Sequence, residues 1–201
     1  VPENAVEVAR TLLNAGADPN AATDVGITPL ALVVSCSVPR ESGVMQGLLE
    51  VLIESGADVH ANAEMPIYNA LIHGETEAAA TLHVHGAGVD LRSAAGLGLV
   101  DDMAMFFTAD RTLETDARRG NARPYFERRI TGAKAESSPE PMTAAEILVE
   151  ALAFAVINRQ QEAARFLLER GAEFNGMPAR LHGGGQTPLH LACTSMARAT
   201  R

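Results

Sequence analysis

Residues 150–193 read EALAFAVINRQQEAARFLLERGAEFNGMPARLHGGGQTPLHLAC. Ala163, Phe166 and Leu167 recur at helical spacing, while Glu162, Arg165, Glu169 and Arg170 fill the other face. Gly171 follows the last periodic residue and suits a left-handed helix end. After a polar loop, Thr187 is placed to cap a new helix with its hydroxyl. Pro188 takes the first helical position, where a missing N–H costs nothing. Leu189 and Ala192 then fall on one face. Two short helices of this kind cannot bury their apolar stripes alone, but stacking on a neighbouring pair can bury them.

The run Thr187-Pro188-Leu189-His190-Leu191-Ala192 resembles the Thr-Pro-Leu-His-x-Ala signature of the ankyrin repeat. The resemblance implies an all-α solenoid of stacked helix-turn-helix pairs with short hairpin finger loops. It also implies a structural, hydrogen-bonding His190. Ala31, Tyr68, Arg92 and Ala153 stand at the matching position of the other windows, so that tie is missing from most of the array.

The register extends outward. Pro66 to Gly86 is 20 positions, as are Ala151 to Gly171 and Asp90 to Asp110. Pro29 to Gly56 is 27, which places seven extra residues in a loop-like stretch at 37–43. Residues 6–15 read as a second helix ending at Gly16, and Thr28-Pro29-Leu30 opens the next pair. Met65 stands where a capping Thr is expected, a loss of roughly 0.5–2 kcal/mol at that cap. Gly74 marks an inter-helix turn. Arg159 stands in the matching position, so either Asn158 turns left-handed or the turn relaxes. Only four positions separate Gly86 from Asp90, and a turn is expected there in place of a finger. Thr143-Ala144-Ala145-Glu146 is a capping box, opening a helix that runs to about Asn158.

Three segments are expected: repeats at 1–107 (a partial one, then three), an irregular insertion at 108–142, and repeats at 143–201 (one full, one truncated). The insertion carries arginines around Tyr125 and Phe126, and its end is rich in turn formers. Val1 lies at the entry to a second-helix pattern and the final residues stop inside a repeat. The chain therefore reads as part of a longer protein.

Composition narrows the class. Aromatic residues are 4% and Trp is absent, while apolar residues reach 47%. That balance favours helix-on-helix packing over a sandwich or barrel. A net charge of −9 argues against nucleic acid or an anionic membrane as the main partner. No apolar run approaches the ~18 residues of a membrane span, and no signal peptide is visible. Cys36 and Cys193 sit in apolar helical contexts and read as buried free thiols, in keeping with a reducing, cytoplasmic setting.

No constellation reads as catalytic, as metal-binding or as a cofactor site. His83 and His85 diverge on a helix and, with His73, lack a fourth ligand at metal spacing. Gly183-Gly184-Gly185 precedes no Lys-Ser/Thr and follows no strand. His190 and Cys193 have no third orienting group. Asp101 and Asp102 point apart.

The resemblance therefore implies a non-catalytic scaffold binding a protein along finger tips and first helices. The residues so placed are Thr23, Asp24, Val25, Ser35, Cys36, Asn62, Glu64, Asn69, Ile72, His73, Arg180 and His182. Tyr125 and Phe126 are candidate anchors in the insertion. The alternative is a regulatory or inhibitory segment of a larger enzyme or effector. Uncapped apolar ends add self-association to the expectations.

Overall fold

The computed structural model describes residues 4–24, 26–114, 142–178 and 185–197. They form an all-α fold. The helices are α1 (Ala5–Asn14), α2 (Pro29–Ser35), α3 (Ser37–Glu41), α4 (Met45–Glu54), α5 (Ala61–Ile72), α6 (Thr76–Val84), α7 (Leu91–Leu97), α8 (Val100–Ala104), α9 (Ala144–Ile157), α10 (Gln161–Leu168) and α11 (Pro188–Ala197). Extended pairing among the described residues is limited to an isolated bridge between Phe107 and Leu113. No helix among them is long and apolar enough to cross a membrane. The chain divides into two compact units, with the break between Gly88 and Val89. In the second unit α7 packs on α9, although residues 108–142 lie between them in sequence.

One turn recurs through both units. After α1 the Gly16 N–H donates to the Leu13 carbonyl and the Ala17 N–H to the Leu12 carbonyl, five residues back. Ala57 to Leu52, Ala87 to Leu82 and Ala172 to Leu167 repeat that bond at 3.0 Å after α4, α6 and α10. The residues at the bend are Gly16, Gly56, Gly86 and Gly171, with φ of 96, 89, 101 and 85°. This is the closure in which a left-handed residue ends a helix and an apolar pair seals it. Leu52, Leu82 and Leu167 and their alanine partners are all buried.

The same closure joins the helices within a pair. Val44 bonds to Pro39, Glu75 to Ala70, Leu99 to Ala94 and Gln160 to Ala155, each across a left-handed residue. At three of these turns that residue is Gly43, Gly74 or Gly98; at the fourth it is Arg159 itself, at φ 60°. The sequence pointed instead to Asn158 or to a relaxed turn. Asn158 stays right-handed in backbone, is 5% exposed, and donates its side-chain amide to the Phe154 carbonyl at 2.9 Å. That bond and the repeated closure leave the left-handed position to Arg159.

Other helix boundaries also differ from expectation. Residues 37–41, read as loop, form α3, joined to α2 through the extended backbone of Cys36. Helix α5 begins at Ala61 and runs through Pro66, which was placed at its start. Before Pro66 and Ala151, where no Thr-Pro start stands, the first helix already begins at Ala61 and at Ala144. Where Thr28-Pro29 is present, Thr28 caps α2 by accepting the Ala31 N–H at 3.3 Å. Both sides of the Thr143/Glu146 capping box form. Asp90 and Ser93 make another one on α7. On α11 the buried leucine is Leu191, at 7%, while Leu189 is 72% exposed. The face shared by Leu189 and Ala192 is therefore not the packed one.

In the first unit α2 packs on α4 and α5, α1 on α4, and α4 on α6. Leu30, Val34, Leu49, Val51, Ile67, Leu71 and Leu82 are all at most 1% exposed there. Polar bonds tie successive pairs. Asn69 donates to Ser35 Oγ at 3.0 Å, Gln46 to Thr81 Oγ1 at 2.9 Å, and Arg40 to Glu75 at 2.8 Å. In the second unit the core gathers Leu91, Met103, Leu113, Met142, Ile147, Leu152 and Leu167. Phe107 and Phe166 meet edge to face at 5.7 Å, with the Arg170 guanidinium over the Phe166 ring.

Candidate functional site

Two of the loops that follow second helices in the first unit, those after α1 and α4, are built alike. Gly16-Ala17-Asp18 and Gly56-Ala57-Asp58 repeat the same three residues. In each, the Asp carboxylate accepts the N–H two residues on: Asp18 from Asn20 at 2.8 Å, and Asp58 from His60 at 2.9 Å. Such Asx turns fix a loop locally. Asn20 then spans to the next loop. Its amide nitrogen donates to the Gly56 carbonyl at 2.9 Å, and its carbonyl accepts the Asp58 N–H at 2.7 Å. Both ends of one side chain thus fix the spacing of two consecutive loops.

Beyond Asn20 the chain makes a tight turn. The Thr23 N–H donates to the Ile27 carbonyl at 3.0 Å, and the Gly26 N–H to the Thr23 carbonyl at 2.7 Å. The Thr23 hydroxyl accepts the Ile27 N–H at 3.1 Å. Gly26 has φ 80°, a conformation open to glycine at no steric cost. Thr23 and Asp24 are exposed on this turn. Between it and the next loop lies a depression of about 420 Å³, lined by Asn20, Ala22, Gly26, Thr28, Asp58 and Ala61. The volume is at the small end of the ~300–1,000 Å³ typical of ligand pockets. Asn20 and Asp58 are exposed, so it opens to solvent.

Of the residues expected to contact a partner, Thr23 and Asp24 belong to this surface. Ser35 and Cys36 are half-buried at the end of α2, as are Ile72 and His73 at the end of α5. Asn69 is 6% exposed, its amide spent on Ser35 Oγ, so it holds α5 against α2 rather than facing outward. Val25, Tyr125, Phe126, Arg180 and His182, and the side chains of Asn62 and Glu64, lie outside the described residues. Sequence reasoning missed Asn20 and Asp58, although the repeated Gly-Ala-Asp was there to be read. It also missed Leu32, which is 51% exposed on the helical face shared by Ser35 and Cys36.

Cysteine burial is a further correction. Both cysteines are free, but Cys36 is only partly buried and Cys193 is exposed. The face of α11 that packs carries Leu191, which leaves Cys193 to solvent. His190 Nδ1 meets the Thr187 hydroxyl at 2.8 Å, a bond inside its own helix start. His83 and His85 each place Nδ1 against a backbone carbonyl, of Ala87 and Thr81. Among the described residues no group of three or more His, Cys, Asp or Glu side chains is placed to hold a metal.

A buried ionic cluster lies in the second unit. Arg92, 3% exposed, reaches Glu150, 0% exposed, at 3.0 Å, and Asp90 at 2.6 Å. It thereby joins α7 to α9. Burial pushes the Asp90 carboxyl upward, but the Arg92 guanidinium and hydrogen bonds from Ser93 outweigh it and hold it below its ordinary value. Asp110, on the surface, is also lowered, chiefly by the hydroxyl of Thr108 and then that of Thr112. The cluster had a sequence signal: Arg92 and Glu150 are lone charges inside apolar runs, LRSAAGL and ILVEALAFAV. Charges so placed are rarely buried unless paired.

No protein-family model matches the chain. No curated protein matches it significantly.

Proposed function

We propose that this chain is a non-catalytic protein-binding scaffold of the ankyrin-repeat type. Its helix pairs would be successive repeats, and its loops and first helices the docking surface. The observation that carries this reading is the recurrence of one left-handed closure, at Gly16, Gly56, Gly86 and Gly171 after second helices and at Gly43, Gly74, Gly98 and Arg159 between helices. A helix pair repeated in this way displays its loops in a row. A loop row held by Asn20 and the Asx turns is preordered, so a partner binds without a large ordering cost.

The test is a photo-crosslinking amino acid placed at Thr23 or, separately, at Glu50 on the exposed side of a second helix. The full chain carrying each is exposed to lysate of the source cells. A discrete adduct from position 23 and none from position 50 is the expected result. Adducts from position 50 alone would move the docking surface to the second helices. No adduct from either position would remove the support for a protein-binding role of this face.

A further inference from the structure

Charge is distributed unevenly along this chain. Residues 1–88 hold eleven Asp and Glu against two Arg, a balance of −9, and residues 89–201 hold fourteen of each sign. The whole net charge of the protein thus falls within residues 1–88 of the sequence. Both arginines of residues 1–88 are occupied: Arg10 pairs with Glu54 at 3.4 Å and Arg40 with Glu75 at 2.8 Å. Neither pair lies on the loops. The exposed ionised groups of loop residues 15–28 and 55–58 are Asp18, Asp24 and Asp58.

The groove between these loops has a floor of small residues, Ala22, Gly26 and Ala61, with the Asp58 carboxylate at its edge. We infer that this groove takes an extended, arginine- or lysine-rich segment of a protein partner. Small floor residues admit a backbone or an aliphatic stem, and the carboxylates meet the charged heads. A carboxylate accepts more bonds than the single N–H it already caps, so Asp18 and Asp58 can keep their turns and still take a guanidinium. With no Lys or Arg among the described residues of these two loops, a basic segment is steered to this side and an acidic one is turned away. This inference rests on the scaffold reading and adds the chemistry of the partner.

The test uses the full chain and a fluorescent nona-arginine peptide, followed by anisotropy at low and at physiological salt. Asn at positions 18 and 58 still offers the cap oxygen, so D18N/D24N/D58N keeps the loops. It should weaken binding about tenfold or more. E7Q/E50Q/E77Q removes the same charge from the second helices and should change binding less than about twofold. Circular dichroism melts of both variants show that each is folded. Equal weakening by the two variants would reduce the effect to net charge and overturn the inference. Absence of peptide binding at low salt would also overturn it. A partner that crosslinks at position 23 but ignores salt and the Asp→Asn changes sinks this inference and leaves the scaffold reading intact.

Discussion

Arg159 is the residue that most clearly separates backbone demand from side-chain preference. It holds φ 60° where the equivalent turns hold Gly43, Gly74 and Gly98. A non-glycine residue in this region costs roughly 1–2 kcal/mol, and glycine's freedom in the unfolded chain returns about 0.5–1 of that. Arg159→Gly is therefore expected to raise the unfolding free energy by up to about 1 kcal/mol, read as a higher urea midpoint at unchanged slope. A lower midpoint would mean that the arginine side chain contributes more than the strain costs. Leu167 gives the opposite sign. It is 0% exposed and its carbonyl closes the Ala172 turn. Leu167→Ala should cost about 2–5 kcal/mol, and a loss below about 0.5 would remove it from the core. Both positions were legible as positions: Gly171 announced its turn, and the 20-residue register located Arg159. The resolution of the conflict at Arg159 was not, because it depends on Asn158 being buried and bonded to Phe154.

Helices α7 and α9 show what a stretch of sequence conveys about its packing and what it withholds. The capping boxes at Asp90 and Thr143 involve near neighbours, and the one at Thr143 could be read directly. The pairing of Arg92 with Glu150 could not, since 58 positions separate them and only the packing of α7 on α9 brings them together. Breaking a buried pair strands a charge, so Arg92→Met is expected to cost about 3–5 kcal/mol. Arg92→Met combined with Glu150→Leu should recover much of that loss in the same denaturation experiment. Equal stabilities of the single and double variants would contradict a buried, paired Glu150. The Asp90 carboxyl sits below its unfolded value, near pH 3.9. The unfolded chain then binds the proton more tightly, and stability rises with pH through this window. The contribution is complete above the unfolded value and is lost as pH falls through the folded one. Asp90→Asn keeps the cap and removes the titration. The stability gap between wild type and variant should be widest above about pH 5 and should narrow below about pH 4. A gap independent of pH would contradict the charge-based account.

At the scale of the molecule, a charge balance of −9 confined to residues 1–88 and a regular series of helix closures carry the functional argument. Helix content followed from periodicity and from the Gly and Pro punctuation. The break at Gly88 did not, because it depends on α7 packing on α9 from positions as far apart as Arg92 and Glu150, a contact with no local trace. The loop groove was also hidden: it exists because Asn20 bonds to Gly56 and Asp58, across 36 and 38 positions. The claim beneath all of this is that one closure recurs after α1, α4, α6 and α10 and between the paired helices, with α8, which ends at Ala104 without it, the exception. Residue-resolved amide hydrogen exchange on the full chain tests it most directly, at Ala17, Ala57, Ala87 and Ala172 and at Val44, Glu75, Leu99 and Gln160. The closure gives each of these amides the carbonyl five residues back, so all should be protected well beyond open-loop rates, with Ala57, Ala87 and Ala172, which sit on buried alanines, the slowest of the first four. Exchange at open-loop rates in Ala57, Ala87 and Ala172 would contradict the repeated closure and the scaffold built on it.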